Sequence, residues 1–578
     1  MIFALSLTAP KVLHTLNDSK RDHSNLPTKK TEIIVEAGAR AKQWQYALAL
    51  TAVAGLAFFV GLGSLGLAGP DEPRYAEVAR EMFASGDYIS PRLCGCLWFE
   101  KPPLLYWMEA AAYYIFGVNE FAARIPSAVA ATVAALFLFH AIAKTVSIRL
   151  GAIVSIILIT SAIFVGYGRA AAPDMPLTAC IVIALCSVYL AVSSAGRARK
   201  GYLVIAAVGA GLSLIAKGLV GIALIATIFI LVAVVTRQRF LKLTEIVLIT
   251  AVFLLVSASW YLPVTLRHGW EFIREFVINH HFKRYLTNEY HHPEAFYFYF
   301  IIAAIGAIPW IFYLIPAVAR LRRVSFRGAS RLDLLLVLAW IWFLVPILFF
   351  SLSVSKLPGY ILPSFPALAI IVGVEIEALL DLKAGRVLEI AVRLTALLLI
   401  ALGIAYPIYL NRALGTADLG GAILRFVPLA IACGALLFLA LKRMQGFVAG
   451  TGAFMISLAL VTVALFAPYL SGKVSLRDLS QQAATALRPG ERIAFYLDKE
   501  YAAVFYAQGR VVCGVGDGDV LNAYNPDEIV RALRVEKSMI VITYANKAGD
   551  LETDSRLATE TIAAQGREVA LRLSPSEK

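Results

Sequence analysis

Apolar runs of about twenty residues recur along the chain and constrain its fold more than any other feature. A helix needs that length to cross the ~30 Å hydrocarbon core of a bilayer, where backbone polar groups must be bonded internally. Only 16% of the residues are charged, against about 25% in soluble domains. We therefore predict an all-α polytopic membrane protein with about thirteen transmembrane helices. The runs lie at 46–68, 120–143, 150–166, 175–194, 202–216, 218–236, 243–264, 295–319, 333–352, 360–379, 388–410, 422–441 and 447–470.

The region 202–236 is the least clear part of this division. It is apolar over about 35 residues, which is too long for one helix crossing the bilayer. Lys217-Gly218 interrupts the run near its middle. The interruption therefore predicts two spans, 202–216 and 218–236.

The positions of the basic residues predict the orientation of the spans. With the N-terminus inside, every even-numbered loop is basic and nearly free of carboxylates, as expected for cytoplasmic loops. These loops also account for the net charge of +14, so nucleic acid is not among the predicted partners. The basic residues are Lys144 and Arg149; Arg197, Arg199 and Lys200; Arg237, Arg239 and Lys242; Arg320, Arg322, Arg323, Arg327 and Arg331; Lys383 and Arg386; Lys442 and Arg443.

This orientation divides the chain into three regions. Residues 1–45 form a basic cytoplasmic segment, and 46–470 form the membrane domain, with long outer loops at 69–119 and 265–294. Residues 471–578 are expected outside as a small α/β domain. RIAFYL, RVVCGV and MIVITYA are typical of strands, and DEIVRALRVE is typical of a helix.

The first outer loop begins with two adjacent carboxylates, Asp71 and Glu72. The spacing from Glu72 to Phe83 predicts an amphipathic interfacial helix with Arg74, Glu77, Arg80 and Glu81 on its polar face. Asp71 is either the cap of this helix, since Asp is a preferred cap, or an active-site carboxylate. The local pattern leaves both interpretations open.

Other polar residues at the outer ends of the spans also allow two interpretations. Asp174 fits a helix cap, Glu100-Lys101 a solvated pair, and Lys217 a turn. Lys356 fits a snorkelling lysine, and Tyr360 fits packing. Taken together, however, polar groups from several outer loops at one membrane depth are typical of a functional site.

Histidines and cysteines raise the question of a metal. His268, His280, His281, His291 and His292 fall in one outer loop, which is either a metal or polar site or a wet loop rich in histidine. The six cysteines suggest no disulfide framework. Cys94-Gly-Cys96 is either a soft-metal site or two thiols in a loop.

Several motifs together resemble a known family. They are PDEPRYAEVAREM (70–82), GDYISPRL (86–93), FEKPPLLYW (99–107), PDMPL (173–177), AKG (216–218) and KLPGYILP (356–363). They resemble the lipid-linked glycosyltransferases of the protein O-mannosyltransferase superfamily, and most of all the bacterial aminoarabinose transferases. The resemblance covers roughly 46–470. It implies the integral-membrane glycosyltransferase C-type fold with two interfacial helices in the first outer loop.

The resemblance also implies roles for individual residues. Asp71 and Asp174 would be the catalytic-site carboxylates. The donor phosphate would lie against Lys101, Arg284 and Tyr360, and Arg74, Tyr75 and Lys356 would support substrate binding. Glu100 and His281 would bind a divalent metal such as zinc, and no nucleotide cofactor is expected.

The implied function is transfer of 4-amino-4-deoxy-L-arabinose from undecaprenyl phosphate to lipid A phosphates. This would occur at the periplasmic face of the bacterial inner membrane, with the chain acting as a monomer, and would give resistance to polymyxin and cationic peptides. One alternative is another polyprenyl-phosphate-sugar transferase that modifies protein or glycan. Another is a transporter of lipid-linked sugars, which is disfavoured because the spans are clean at their midplane and show no internal repeat.

Overall fold

The computed structural model describes residues 29–283, 294–327, 330–381, 386–414, 446–497, 501–512 and 520–576. Up to residue 474 the described regular structure is almost entirely helical, apart from a short β-ribbon (β1, Arg92–Leu93; β2, Cys96–Leu97). A π-helix covers Ile273–Lys283, and 3-10 turns cover Ile311–Tyr313, Leu321–Arg323 and Pro358–Ser364. The α-helices are α1 (Lys29–Phe58), α2 (Asp71–Ser85), α3 (Leu104–Phe116), α4 (Glu120–Thr145), α5 (Ile148–Thr160), α6 (Ala162–Gly168), α7 (Asp174–Val192), α8 (Gly196–Lys217), α9 (Leu219–Thr236), α10 (Leu243–Phe272), α11 (Phe298–Gly306), α12 (Leu314–Arg320), α13 (Arg331–Ser351), α14 (Phe365–Asp381), α15 (Arg386–Leu414) and α16 (Gly446–Val474).

The helices confirm a multi-pass membrane protein. Seven described helices are long and apolar enough to cross a bilayer, or nine if each of two bent pairs is one span. The predicted segments 150–166 and 295–319 correspond to these bent pairs, with angles of 68° and 111°. The segment 422–441 lies outside the described residues. The total of about thirteen spans therefore stays a prediction.

The division at Lys217-Gly218 is confirmed. α8 ends at Lys217 and α9 begins at Leu219. Gly218 between them has φ +73° and ψ −152°, a conformation that residues with a Cβ rarely adopt. The two helices therefore fold back on each other and leave Lys217 at the bend.

The C-terminal residues form an α/β unit around a five-stranded sheet. Its elements are α17 (Arg477–Ala486), β3 (Ile493–Tyr496), α18 (Tyr501–Tyr506), β4 (Asn522–Ala523), α19 (Pro526–Glu536), β5 (Met539–Tyr544), α20 (Ala545–Glu552), β6 (Leu557–Gln565) and β7 (Glu568–Pro575). The predicted strands RIAFYL and MIVITYA are β3 and β5, and the predicted helix is α19, which Asn525 caps. In RVVCGV, Val511 forms only an isolated bridge, and 513–519 lie outside the described residues. The strand order is β4-β3-β5-β7-β6, with β3 parallel to its neighbours β4 and β5, and β7 antiparallel to β5 and β6.

Helix α2 is more deeply packed than its amphipathic pattern predicts. It packs against α3 and against α18 of the C-terminal unit, and Gly509 of that unit lies beside Glu77 and Arg80. Its Glu77, predicted on a polar face, is fully buried and accepts two hydrogen bonds of 2.7 Å from Arg80. The prediction was wrong for this residue because the C-terminal unit covers that face of the helix.

Glu109 on α3 gives a stability prediction. It is fully buried, and neither carboxylate oxygen has a hydrogen-bond partner among the described residues. Burial raises the pKa of this carboxyl well above its ordinary value, and the charge of Glu72 acts in the same direction. Ionisation is then easier in the unfolded chain, so stability should fall as pH rises above the ordinary glutamate pKa.

Glu109→Gln should flatten the decrease in melting temperature that we expect between pH 5 and 8 in detergent. The exposed Glu552→Gln is the matched control and should keep the wild-type slope. Glu109→Met should raise the free energy of unfolding by about 1–3 kcal/mol, because it removes buried polar atoms that lack partners. If the melting temperature of Glu109→Gln fell with pH as steeply as that of the wild type, Glu109 would not be a buried carboxyl that stays neutral in the folded chain.

Candidate active site

Asp71 is the first residue of α2 and does not act as its cap. The residue before the helix is Pro70, and no side chain caps the first turn. The Asp71 carboxylate instead accepts a 2.5 Å hydrogen bond from Arg74 Nη2, and its side chain is 51% exposed. The cap interpretation of Asp71 was therefore wrong, and its carboxylate remains accessible.

The neighbouring Glu72 has the structural role instead. Its side chain is buried and accepts hydrogen bonds from the backbone N–H groups of Ala68 and Ala171, both at 2.8 Å. Arg124 on α4 donates to both of its carboxylate oxygens, at 3.1 and 2.6 Å. Arg124 also donates to the carbonyls of Leu62, Leu65 and Gly66, which follow α1. Glu72 therefore joins the start of α2 to α4, to the end of the first span and to the loop before α7.

Arg74 lies between two carboxylates. Its Nη2 is 2.5 Å from Asp71 and 3.3 Å from Glu100, and Lys101 Nζ is 3.1 Å from the other Glu100 oxygen. Burial opposes the charge of Arg74, but Glu100, Tyr75 and Asp71 raise the pKa of its guanidinium well above the ordinary value. The Glu100 side chain is only 6% exposed, so the interpretation of Glu100-Lys101 as a solvated pair was wrong.

A second carboxylate–cation pair comes from the membrane helices. Helix α7 begins at Asp174, and the preceding residue is Pro173 without a side-chain cap, so the cap interpretation of Asp174 was also wrong. The Asp174 carboxylate accepts a 2.6 Å hydrogen bond from Lys217 Nζ, and both side chains are mostly buried. Lys217 Nζ also lies 4.8 Å from the ring centre of Tyr360. Lys217 marks a turn, as predicted, but it also holds Asp174.

The two groups of charges meet at Tyr167, on the short helix α6. Tyr167 interacts electrostatically with Asp71, Asp174 and Tyr360. Its hydroxyl packs so closely on Gly359 that a Cβ there would lie 2.6 Å away. We call the assembled set the polar cluster, with the members Asp71, Arg74, Glu100, Lys101, Asp174, Lys217 and Tyr360. It combines three carboxylates with three cations at one end of the helices.

Two further predicted substrate-binding residues, Lys356 and Tyr75, make structural contacts. Lys356 is buried and donates to the backbone carbonyls of Ser353 and Glu294, at 2.6 and 2.9 Å. The snorkelling interpretation was therefore wrong, and Lys356 anchors the loop that carries Tyr360. Tyr75 is buried against Tyr106 and lies 5.4 Å from the Arg74 guanidinium. These contacts hold the side chains of Lys356 and Tyr75 in place.

The metal prediction remains open. The described residues contain no group of three His, Cys, Asp or Glu side chains able to hold a metal ion. Arg284 and the side chain of His281 lie outside the description. Glu100 is contacted by two cations, which an ion bound there would have to displace. The described residues therefore fit an ion-pair network better than a metal site. His268, from the same loop, contacts Ser90 Oγ at 2.8 Å.

Cys94 corrects the cysteine prediction. It is disulfide-bonded, whereas Cys96, Cys180 and Cys186 are free. A disulfide sulfur is not a thiolate, so the pair Cys94 and Cys96 is neither a soft-metal site nor two thiols. The backbone N–H groups of Cys94 and Gly95 also donate to the Glu81 carboxylate, which fixes this loop on α2.

Sequence reasoning missed two aromatic contacts of Arg74. Its guanidinium lies 6.0 Å from the ring centre of Trp98 and 5.5 Å from that of Tyr501. Tyr501 belongs to the C-terminal unit, far from Arg74 in the sequence. No local pattern connects the two residues, although the RYAE stretch itself is part of the motif on which the resemblance depends.

Comparison with known proteins gives relatives along most of the chain. Residues 100–262 match the family model described as dolichyl-phosphate-mannose-protein mannosyltransferase. An undecaprenyl phosphate-α-4-amino-4-deoxy-L-arabinose arabinosyl transferase of Erwinia tasmaniensis is 31% identical over 410 residues, covering 68% of this chain and 72% of the relative. One from Pseudomonas fluorescens is 26% identical and covers 93% of this chain and 100% of the relative.

Solved structures agree with these relatives. ArnT from Cupriavidus metallidurans bound to undecaprenyl phosphate has a TM-score of 0.79 and 25% identity, covering 91% of this chain and 97% of that one. The archaeal oligosaccharyltransferase AglB of Archaeoglobus fulgidus shares the fold at a TM-score of 0.51, with 12% identity, 88% of this chain and 70% of that one. Together with the polar cluster, the extent of the sequence match places this chain in the family of undecaprenyl phosphate-α-4-amino-4-deoxy-L-arabinose arabinosyl transferases.

Proposed function

We propose that this chain transfers 4-amino-4-deoxy-L-arabinose from undecaprenyl phosphate to phosphate groups of lipid A. Its relatives are named for the same donor, and a solved relative was crystallised with undecaprenyl phosphate. The observation that carries the proposal is the polar cluster. In it, Lys101 and Lys217 could bind a phosphate, and they contact the carboxylates of Glu100 and Asp174, respectively. In a bacterium, capping lipid A phosphates with an amino sugar would reduce their attraction for polymyxin and other cationic peptides.

The proposed location is the inner membrane, with the cluster at its periplasmic face. The basic loops between spans lie at the opposite ends of the helices and would face the cytoplasm. The C-terminal unit packs on α2, which carries Asp71, and would share the periplasmic side. The chain is proposed to act as a monomer, because the cluster is assembled within one chain.

The donor phosphate is proposed to lie against the ammonium groups of the cluster. Lys101 and Lys217 are candidates among the described residues, and Arg284 remains a candidate from the resemblance. Their charges would stabilise the negative charge that grows on the leaving phosphate. The polyprenyl chain would lie among the apolar helices, which leaves only the phosphate and the sugar within reach of the cluster.

The transfer itself exchanges one bond for another at the anomeric carbon. An oxygen of a lipid A phosphate forms a bond to C1 of the sugar, and the bond from C1 to the polyprenyl phosphate oxygen breaks. The bonding electrons leave with undecaprenyl phosphate, and the configuration at C1 inverts. Because the attacking phosphate is already ionised at neutral pH, the step needs no strong base.

Two of the three carboxylates of the cluster, Asp71 and Asp174, can then act on the substrates in other ways. Asp71, which is half exposed, is placed to bind the sugar's ammonium or to orient the sugar. Asp174 is mostly buried and bonded to Lys217, so it would fix the lysine that faces the phosphate. A hydroxyl acceptor, as in protein mannosylation, would instead require one carboxylate to act as a general base.

A transfer assay tests the proposal. The purified chain is incubated with undecaprenyl-phospho-aminoarabinose and lipid A, and the products are read by mass spectrometry. We expect lipid A to gain the mass of one or two aminoarabinose groups. If a peptide or glycan acceptor gains mass while lipid A does not, the chain is another polyprenyl-phosphate-sugar transferase. Lipid A stripped of its phosphates is the matched control and should remain unmodified.

A divalent metal at Glu100 and His281 is a second, separate prediction. If such an ion is required, treatment with a strong chelator should lower transfer, and zinc should restore it. Metal analysis of the purified chain should find about one divalent ion for each protein. A metal-free preparation with full activity in chelator would remove Glu100 and His281 from this role and leave the ion-pair network.

A further inference from the structure

The surroundings of Arg74 contain a contribution from a distant part of the chain. Tyr75 and Trp98 belong to the first outer loop, whereas Tyr501 opens helix α18 of the C-terminal unit. The three ring centres lie 5.4, 6.0 and 5.5 Å from the guanidinium carbon. These distances are within the range of cation–π attraction, which arginine makes with the face of its planar guanidinium.

Aromatic rings and carboxylates can contact different parts of one guanidinium group. When a guanidinium stacks on a ring, its N–H bonds, which lie in its plane, can still reach carboxylates. Here Arg74 Nη2 contacts both Asp71 and Glu100. A ring that fixes the plane of Arg74 therefore also fixes the direction from which it holds the Asp71 carboxylate.

The C-terminal unit is held firmly enough to place Tyr501. The hydroxyl of Tyr506, on the same helix, accepts a hydrogen bond from the Leu67 N–H at 3.0 Å and donates one of 3.0 Å to Glu120. Tyr501 is itself only 6% exposed and packs in one apolar cluster with Tyr75 and Tyr106. Its ring therefore has little freedom to move away from Arg74.

We propose that Tyr501 is a positioning residue for transfer: through its ring, the C-terminal unit orients Arg74 and thereby the Asp71 carboxylate. The C-terminal unit then contributes a side chain to the surroundings of the active site, beside Tyr75 and Trp98 of the first outer loop. The inference rests on the proposed function only for the reaction used as a readout, because the contact between Tyr501 and Arg74 exists without substrate.

Two substitutions separate the ring from the hydroxyl. Tyr501→Phe keeps the ring and should retain wild-type kcat within about twofold. Tyr501→Leu removes it and should lower kcat by about 3- to 30-fold, the range of one cation–π contact, with little change in KM for the donor. Phe505→Leu is the matched control, since Phe505 is an equally buried aromatic residue of the same helix, with no ring contact to Arg74. It should lower stability without the same loss of kcat.

A readout independent of activity keeps this test separate from the transfer assay. Phenylglyoxal modifies accessible arginines, and peptide mapping gives the rate at Arg74 without any donor present. We expect faster modification of Arg74 in Tyr501→Leu than in the wild type or Phe505→Leu. Wild-type kcat and an unchanged modification rate in Tyr501→Leu would overturn the proposal. Equal losses of kcat in Tyr501→Leu and Phe505→Leu would also overturn it, because they would indicate a general packing effect.

Discussion

Asp71→Asn should abolish most of the transfer activity while leaving the fold intact. The Asp71 side chain is 51% exposed and makes one ion pair, with Arg74, which keeps a second carboxylate partner in Glu100. Exposed or half-exposed pairs contribute about 0–1 kcal/mol to stability, so the melting temperature should hardly change. A carboxylate that holds the reacting sugar in position matters more for the rate than for the fold, and its loss should lower kcat on the order of 10²-fold.

The measurement combines steady-state kinetics with thermal unfolding of the same preparation. Asp478→Asn is the matched control, since Asp478 is 54% exposed and also lies beside an arginine, Arg477, but belongs to the C-terminal unit. It should keep wild-type kinetics. Full activity of Asp71→Asn combined with lower stability would show that the carboxylate serves the fold.

A change of donor can separate the two roles left open for Asp71. If its carboxylate binds the sugar's ammonium, the wild-type enzyme should prefer the amino donor over one that carries a hydroxyl at C4. Asp71→Asn should then lose that preference as well as rate. If Asp71 only orients the sugar, both donors should lose rate equally.

The membrane fold could largely be predicted because its signals are local. The length of each apolar run and the basic residues beside it depend on the bilayer and require no knowledge of contacts. Lys217-Gly218 illustrates this, since a charge and a glycine within one run were enough to predict two helices. The hairpin of β6 and β7 was not predicted, because β6 exposes most of its residues and lacks a clear apolar alternation.

The candidate site could be predicted only in part. Asp71 and Asp174 could be selected because each is a carboxylate at the end of an apolar run, but the same position also fits a helix cap. The structure excluded the cap for both residues, and the partner of Asp174 is distant in the sequence: Lys217 lies 43 positions away. The contact between Arg74 and Tyr501 crosses most of the chain. Such pairs depend on tertiary packing, about which a local pattern contains no information.

Unlike Asp71→Asn, Glu72→Gln should destabilise the fold, although the two carboxylates are adjacent. Glu72 and Arg124 are 11% and 4% exposed and contact each other at 2.6 Å. Removing one charge leaves Arg124 buried without its partner, which costs about 3–5 kcal/mol of unfolding free energy. The pair Arg149–Asp381 has the same 2.6 Å contact, but the Asp381 side chain is 63% exposed, so Asp381→Asn should cost no more than about 1 kcal/mol.

A double substitution tests whether the cost comes from the orphaned charge. Glu72→Gln with Arg124→Met should be less destabilised than the sum of the single changes, because no buried charge then remains. Additive losses in denaturant titrations would contradict this explanation. Even a folded double variant should transfer sugar poorly, since Glu72 also holds the Ala171 N–H, three residues before Asp174. Without that bond, the Asp71 and Asp174 carboxylates lose the connection that fixes them relative to each other.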